Sequence, residues 1–293
     1  MSCGWCVGIV AVDSETWALR QRLTLLRAWN APGGAFWRGR LDGCDVVVAQ
    51  TAPGKVNAAL AAQSLLASER PAVLLSVGTA GAVGEVGQGD LVLAHEVGYH
   101  DAGLYLGGRF IPHGGFTCRG GRRRLEEWFR LCPATEQAAR AWAGGWAGAD
   151  RLHWGRVVTG DQVILSAERK RFLRERFGAL AVEMESAAVA QVARSWDVPW
   201  LVVRAVSDGA DQESGFDFTP LSRLHYASAE PGQRLASLLE VARLTVRDPS
   251  WRRKLAAIHK GLRQATQRAT EAALSLALSP ELRAALAARE ARP

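Results

Sequence analysis

The sequence predicts an α/β fold: a central mixed sheet flanked by helices, with a C-terminal helical extension. Three observations predict it. Short apolar runs rich in β-branched residues alternate with Ala-rich or amphipathic stretches from Cys6 to Ser207. Several of those runs end in polar or glycine motifs: Gly78-Thr79-Ala80-Gly81, Thr159-Gly160-Asp161, Glu183-Met184-Glu185 and Arg204 to Asp208. The texture changes after Gln212, and the boundary between body and tail falls near residue 247, at Asp248-Pro249, beyond which the chain is basic and helical in pattern. A body over residues 1–247 and an extension over 248–293 are expected.

The elements follow in order. Cys6 to Val12 reads as a buried strand. Asp13 and Ser14 can cap a helix from about Glu15 to Ala28. A Gly-rich loop, Asn30 to Ala35, leads to Phe36–Arg40 and Cys44–Gln50, which flank Asp42-Gly43, a strong hairpin signal. Thr51 to Ala67 reads as strand end, glycine turn and Ala-rich helix. Ala72–Gly78 and Asp90–Val97 are further strands. Gly103 to Gly121 reads as a surface loop, and helices are expected near Arg122–Leu131 and Thr135–Trp146. Gly155–Val158 is a strand, and Ser166 can cap a helix over Ala167–Phe177. Leu180–Met184 is a strand that runs into a helix, Glu185–Trp196. Val198–Ser207 is the last strand. Asp217–Gly232 is polar, Gln233–Val246 and Trp251–Leu278 are helical, and Pro280 opens a final short helix.

Composition excludes several classes. The chain has 293 residues, 48% hydrophobic and 22% charged, ample for a large core. No apolar run is long enough for a transmembrane helix, and no basic segment followed by a cleavable apolar core is present, so a cytoplasmic location is the default expectation. Five irregularly spaced cysteines argue against a disulfide framework. Cys3 and Cys6 precede the first strand, where a redox pair normally follows one, and no second pair completes a zinc site. The net charge is +7, but residues 251–293 hold nine Lys/Arg against three Glu. The body is nearly neutral and offers no footprint for nucleic acid.

Three carboxylates can meet in one crevice if these strands share a sheet: Glu15, Glu185 and Asp208. Ligands of open α/β sheets bind beyond the carboxyl ends of the strands. Separate carboxylates in different environments suit cleavage of an N-glycosidic bond. The leaving base accepts a proton, the sugar becomes cationic and needs negative charge, and water must be activated on the opposite face. Each has a plainer reading. Asp208 can close a turn at a strand end, and Glu15 and Glu185 can favour a helix N-terminus. Tyr99-His100-Asp101 reads as structural or as a subunit contact, and Gly54-Lys55 lacks the rest of a phosphate-binding loop.

The set VGTAGAVG, YHDA, TGDQVI, AVEMESAAVA and VVRAVSDGADQ resembles the 5′-methylthioadenosine/S-adenosylhomocysteine nucleosidases of the purine nucleoside phosphorylase superfamily. The resemblance covers residues 6 to 213. It implies the phosphorylase/nucleosidase type of α/β fold, a homodimer, a nucleoside substrate and no cofactor or metal. It makes Asp208 the acid on purine N7, with Ser207 beside it. Glu185 holds the ribose hydroxyls, Met184 lies against the sugar, and Glu183 belongs to the same motif. Glu15 activates water, with Arg204 and Thr79 near it, and Ala80 and Gly81 continue that wall. Val163 stands where the family often has an aromatic residue against the base, and Ile164 presents backbone groups to adenine. Thr79 replaces a usual serine, so the hydroxyl survives. Ser76 stands where related phosphorylases hold phosphate with an arginine, and an acid near the nucleophile repels phosphate. Hydrolysis is therefore expected over phosphorolysis.

The tail departs from that family. Leu255, Ile258, Leu262, Ala265 and Ala269 share one face, an amphipathic pattern. It predicts either packing on the body or a second subunit, or peripheral membrane contact through the basic helix. The tail is similar to that of hopanoid-associated purine nucleosidases, which release adenine from an adenosylated lipid. Adenosylhopane cleavage, a futalosine-type hydrolase and an inactive nucleoside-binding module are the alternatives to hydrolysis of methylthioadenosine-type substrates.

Overall fold

The computed structural model describes residues 5–208 and 231–290; the side chains of Asp13, Ser14, Asp208, Glu290 and residues 231–234 lie outside that description. Asp211 and most of the polar stretch from Asp217 also fall outside the described residues. β1 (Cys6–Val12) leads into α1 (Asp13–Arg20) and then a meander of β2 (Thr24–Ala31), β3 (Gly34–Leu41) and β4 (Cys44–Thr51). α2 (Lys55–Glu69), β5 (Val73–Ala82) and β6 (Leu91–Tyr99) follow. Next come β7 (Gly103–Leu106), β8 (Arg109–Pro112), β9 (Gly115–Arg119), β10 (Arg122–Glu126), β11 (Phe129–Arg130) and α3 (Pro133–Gly145). β12 (Leu152–Thr159), α4 (Ala167–Phe177), β13 (Ala179–Glu183), α5 (Ser186–Trp196) and β14 (Trp200–Asp208) complete the alternating part. The C-terminal helices are α6 (Pro231–Arg247), α7 (Pro249–Ala277) and α8 (Pro280–Glu290).

One mixed sheet runs β11-β6-β12-β13-β5-β1-β4-β3-β2, and β14 pairs with both β5 and β6. The strand pairs β5–β13, β13–β12, β12–β6, β6–β14 and β14–β5 therefore close a ring. The ring brings the ends of β5, β12, β13 and β14 to one place. β14 runs parallel to β5 with Arg204 opposite Gly78 and Asp208 opposite Gly81. Its middle, Leu201 to Val203, is buried among Leu74, Leu75 and Val77 of β5. Such near-continuous apolar runs are what strands covered on both faces require. α2 and α5 pack against each other over the strands, and α1 and α7 do likewise.

Local chemistry explains most boundaries. Asp42 (φ 48°) and Gly43 (φ 77°) make the tight β3–β4 turn that their sequence predicts. The Ser166 hydroxyl accepts from Arg169 N at 3.3 Å, and Gly178 at φ 61° closes the helix it opened.

Three expectations differ. The first helix stops at Arg20, because Thr24–Ala31 pairs antiparallel with β3. Leu25 and Leu26 are exposed there. The Gly103–Gly121 loop is instead strand-rich: β7 pairs with β8, and β9 with β10. The helix expected near Arg122–Leu131 is β10 and β11. Paired glycines at positive φ, Gly107-Gly108 and Gly120-Gly121, turn both hairpins tightly, and pairing overrides the helix propensity of the arginine run.

The C-terminal helices join the body closely. Asp248 caps α7, its carboxylate accepting from Ser250 N at 2.8 Å and Trp251 N at 3.1 Å. Ala265, Ala269, Ala272, Ala273 and Leu276 lie in the main core with β14 and β5. Their small side chains let the helix axis approach the strands. The first half of α7 is mostly exposed, including Arg252, Arg253 and Lys254. Among the described residues, no helix is long and apolar enough to cross a membrane.

Candidate active site

A cavity of about 260 Å³ opens where the strand ends converge. Its lining includes Glu15, Thr79, Ala80, Gly81, Val163, Ile164, Glu183, Met184, Glu185 and Ser207, all named from the sequence. Val12, Pro53 and Gln162 complete much of the wall, and none of them is a site residue named from the sequence. Arg204 is 1% exposed and lies beneath the wall. Asp208 ends β14 opposite Gly81, at the rim, and its side chain is outside the described residues. Two larger concavities exist, one between α3, α5 and α8 and one along α1 and α7. Neither gathers buried carboxylates, so size does not mark the site here; chemistry does.

Glu15 is held from three sides. Its Oε2 accepts from Val12 N at 3.1 Å, and its Oε1 accepts from Thr79 N at 2.6 Å and Thr79 Oγ1 at 3.1 Å. The first turn of α1 thus ties the end of β1 to the end of β5. Burial pushes the Glu15 pKa up, against the Arg204 charge and those hydrogen bonds. Gly78 makes the approach possible. A Cβ there would lie 2.5 Å from Glu15 Oε1, and closer still to Glu15 Oε2 and Arg204 Nη1.

Arg204 is the hub below. Its Nη2 lies 2.6 Å from Glu183 Oε2 and 3.7 Å from Glu185 Oε2, and donates to Ser76 Oγ at 2.8 Å and Ser186 Oγ at 3.0 Å. Its Nε donates to Ser186 Oγ at 3.1 Å, and Nη1 approaches Thr79 O at 3.5 Å. Burial disfavours its charge, but Glu183, Glu185 and Glu15 outweigh that and raise its pKa. The guanidinium fork supplies the cation that this carboxylate group surrounds. Ser76 and Ser186 were missed by sequence reasoning as partners of that fork.

The start of α5 explains the two glutamates. Glu183 accepts from Glu185 N at 2.9 Å and from Ser186 N at 2.9 Å on Oε2, and Thr159 Oγ1 donates to its Oε1. Thr159 Oγ1 also accepts from Ala187 N at 2.9 Å. Orphan donors of the helix are thereby satisfied, and its dipole favours both carboxylates. Glu183 is fully engaged. Glu185 accepts from Gly54 N at 3.0 Å on Oε1 and faces the cavity. Burial, then the neighbouring Glu183 charge, pushes its pKa up to about 8, against the pull of Arg204. Ser207 Oγ donates to Ala80 O at 3.3 Å, fastening the end of β14 to the wall formed by β5. Among the described residues, no group of three or more His, Cys, Asp and Glu side chains is placed to hold a metal ion.

The arrangement offers two buried carboxyls with raised pKa values, Glu15 and Glu185, around one buried cation, in a cavity that Val163, Ile164 and Met184 also line. Comparisons with known proteins agree with the strand-end motifs. A family model described as the phosphorylase superfamily matches residues 7–239. A 5′-methylthioadenosine/S-adenosylhomocysteine nucleosidase of Geobacillus kaustophilus is 34% identical over 235 residues, covering 80% of this chain and 95% of that one. The nucleosidase of that name from Neisseria meningitidis, solved with methylthio-immucillin-A, superposes with a TM-score of 0.67 at 23% identity, over 92% of this chain and 97% of that one. The futalosine hydrolase of Helicobacter pylori shares the fold with a TM-score of 0.68 at 24% identity, over 93% and 97%.

Proposed function

We infer the function from this premise: the chain belongs to the phosphorylase superfamily and, within it, to the 5′-methylthioadenosine/S-adenosylhomocysteine nucleosidases. It hydrolyses the N-glycosidic bond of 5′-substituted adenosines and releases adenine. The observation that carries this reading is the pair of buried carboxyls, Glu15 and Glu185, which line one cavity, share the buried Arg204 charge and have raised pKa values.

In the reaction a water oxygen attacks C1′ of the ribose. The C1′–N9 bond breaks and its electron pair leaves with the purine. Asp208 gives a proton to N7 of that purine, and Glu15 takes a proton from the water. The products are adenine and the 5-substituted ribose. Burial raises the Glu15 pKa and so strengthens it as a base once ionised. In its ionised form Glu185 accepts from the ribose hydroxyls, and negative charge on an ionised glutamate stabilises the cationic sugar as the bond breaks. Met184 packs under the sugar, and Val163 and Ile164 flank the base. Glu183 and Arg204 brace Glu185, and Ser207 fixes the strand end that carries Asp208. The carboxylates would repel phosphate and leave water as the nucleophile.

A homodimer is part of this proposal. Exposed Val56 and Leu60 on α2 and exposed Val163 and Leu165 at the cavity rim support it. Peripheral contact with an anionic membrane is a further part, supported by exposed Arg252, Arg253, Lys254, Lys260 and Arg263 on the first half of α7.

The test is a substrate panel with and without inorganic phosphate. Methylthioadenosine, S-adenosylhomocysteine, an adenosylated lipid and a 6-oxopurine nucleoside are compared by base release. Adenine with free sugar, independent of phosphate, is expected from the first two. Sugar-1-phosphate formed only with phosphate would overturn the hydrolytic reading.

A further inference from the structure

A charged cluster outside the cavity has no part in the chemistry above. The Lys55 ammonium donates to both oxygens of Asp101, at 2.7 Å and 2.8 Å, and lies 3.5 Å from Asp161 Oδ2. Lys55 N donates to Asp161 Oδ1 at 2.8 Å, and Asp161 N donates to Asp101 Oδ2 at 2.8 Å. Three segments distant in sequence are thus joined: the start of α2, the turn after β6 and the loop after β12. The Lys55 and Asp101 side chains are 24% and 14% exposed. An isolated surface ion pair is worth little. Here the Lys55–Asp101 pair is partly buried, Asp161 is 48% exposed, and two backbone donors close the cluster, which fixes geometry as well as charge.

The cluster touches the site through backbone. Gly54, at φ 104°, directs its N–H to Glu185 Oε1 at 3.0 Å. Gly54 has no side chain to anchor that turn, and the next residue is Lys55. The loop after β12 passes from Asp161 directly into Gln162, Val163 and Ile164, all on the cavity wall. One cluster therefore sets both the donor that orients Glu185 and the start of the wall opposite the base.

We propose that Lys55, Asp101 and Asp161 form a positioning clamp that aims Glu185 at the ribose hydroxyls and so determines selectivity for ribonucleosides over their deoxy analogues. This rests on the nucleosidase reading and adds positioning residues to it. The clamp touches no reacting atom. Its loss frees the Gly54 turn, lets Glu185 turn away, and weakens the hydrogen bonds to the sugar.

The experiment compares kcat/KM for 5′-methylthioadenosine with that for its 2′-deoxy and 3′-deoxy analogues, in wild type, Lys55→Met, Asp101→Asn and Lys55→Arg. The ratio of ribo to deoxy substrate is the readout. It cancels any loss of folded enzyme and the greater intrinsic lability of the deoxy bond. Lys55→Met and Asp101→Asn are expected to shrink that ratio about tenfold, the scale of one lost charge-assisted hydrogen bond. Lys55→Arg, which keeps the charge, is expected to recover part of it. Equal falls for all substrates, leaving the ratio at the wild-type value, would overturn the clamp. Absence of adenine release from any nucleoside by the wild type would instead overturn the nucleosidase reading on which it stands.

Discussion

Replacing Gly78 with alanine adds one methyl group at the point where Glu15 and Arg204 meet. That methyl would sit 2.5 Å from Glu15 Oε1 and closer to two further polar atoms, where ordinary contact begins at 3.4 Å. Something must move by about 1 Å. Arg204 cannot give cheaply, because its guanidinium is fully buried and bonded to Ser76, Ser186 and Glu183. Glu15 is the end of a flexible side chain, and it will yield. Moving it breaks the 2.6 Å bond from Thr79 N and the 3.1 Å bond from Val12 N, leaving partly buried donors unpaired. Overpacking of this kind costs about 1–3 kcal/mol of stability. Activity should suffer more, because a displacement of about 1 Å in a reacting group can cost about 10²-fold in rate. The assay is adenine release from methylthioadenosine, with thermal unfolding measured in parallel. The expected result is kcat lowered about 10²-fold in an enzyme that still folds cooperatively. A Gly78→Ala enzyme within about threefold of wild-type kcat would refute the argument, since Glu15 could not then be the base held at that position.

Asp208→Asn should lower kcat about 10²–10⁴-fold while nucleoside binding, followed by calorimetry, persists; near wild-type turnover would remove Asp208 as the acid. Burial raises the Glu185 pKa from 4.5 to about 8, so the folded protein binds a proton that the unfolded chain releases between those values. Its stabilising contribution is complete below pH 4.5 and lost as pH rises to about 8, with a slope approaching about 1.4 kcal/mol per pH unit. Urea unfolding of ligand-free protein across that window checks it, and Glu185→Gln should flatten the slope. Ala269→Leu, at a fully buried position of α7, should cost about 1–3 kcal/mol, whereas Lys254→Ala on the exposed first half should stay within about 0.5 kcal/mol. Equal effects in chemical denaturation would contradict the packing of that helix.

Sequence reading succeeded where a residue's role is set by its own segment. Each strand ending in a glycine or charged motif was visible, because burial demands an apolar run and a crevice demands that it stop. Glu15 and Glu185 could be named for the same reason: each sits where a strand passes into a helix. It failed where neighbours decide. The helix expected from Glu15 to Ala28 ends early, because Thr24–Ala31 pairs with β3, and that pairing is not visible within the segment itself. The glycine pairs at 107–108 and 120–121 could mark loop or turn equally, until a partner strand of matching length is found.

Arg204 shows the same limit within the site. A charge near a strand end reads from sequence as a residue facing the crevice. The register instead sets Arg204 beside Gly78, four residues before the strand closes, and turns its guanidinium under the carboxylates. Which serines receive it follows from two alignments at once, β14 on β5 for Ser76 and β13 into α5 for Ser186. Neither spacing is written in any single segment. Gly54 is subtler still, since its contribution is a backbone N–H and no side-chain pattern can announce one. The carboxylates that carry the proposed chemistry were therefore legible, and the donors that set their pKa values and direction were not. A bond from a backbone amide 131 residues away in sequence holds Glu185 as surely as any charged partner. That is why substitutions at Gly54, Gly78 or Lys55 should disturb the reaction although none supplies a reacting group.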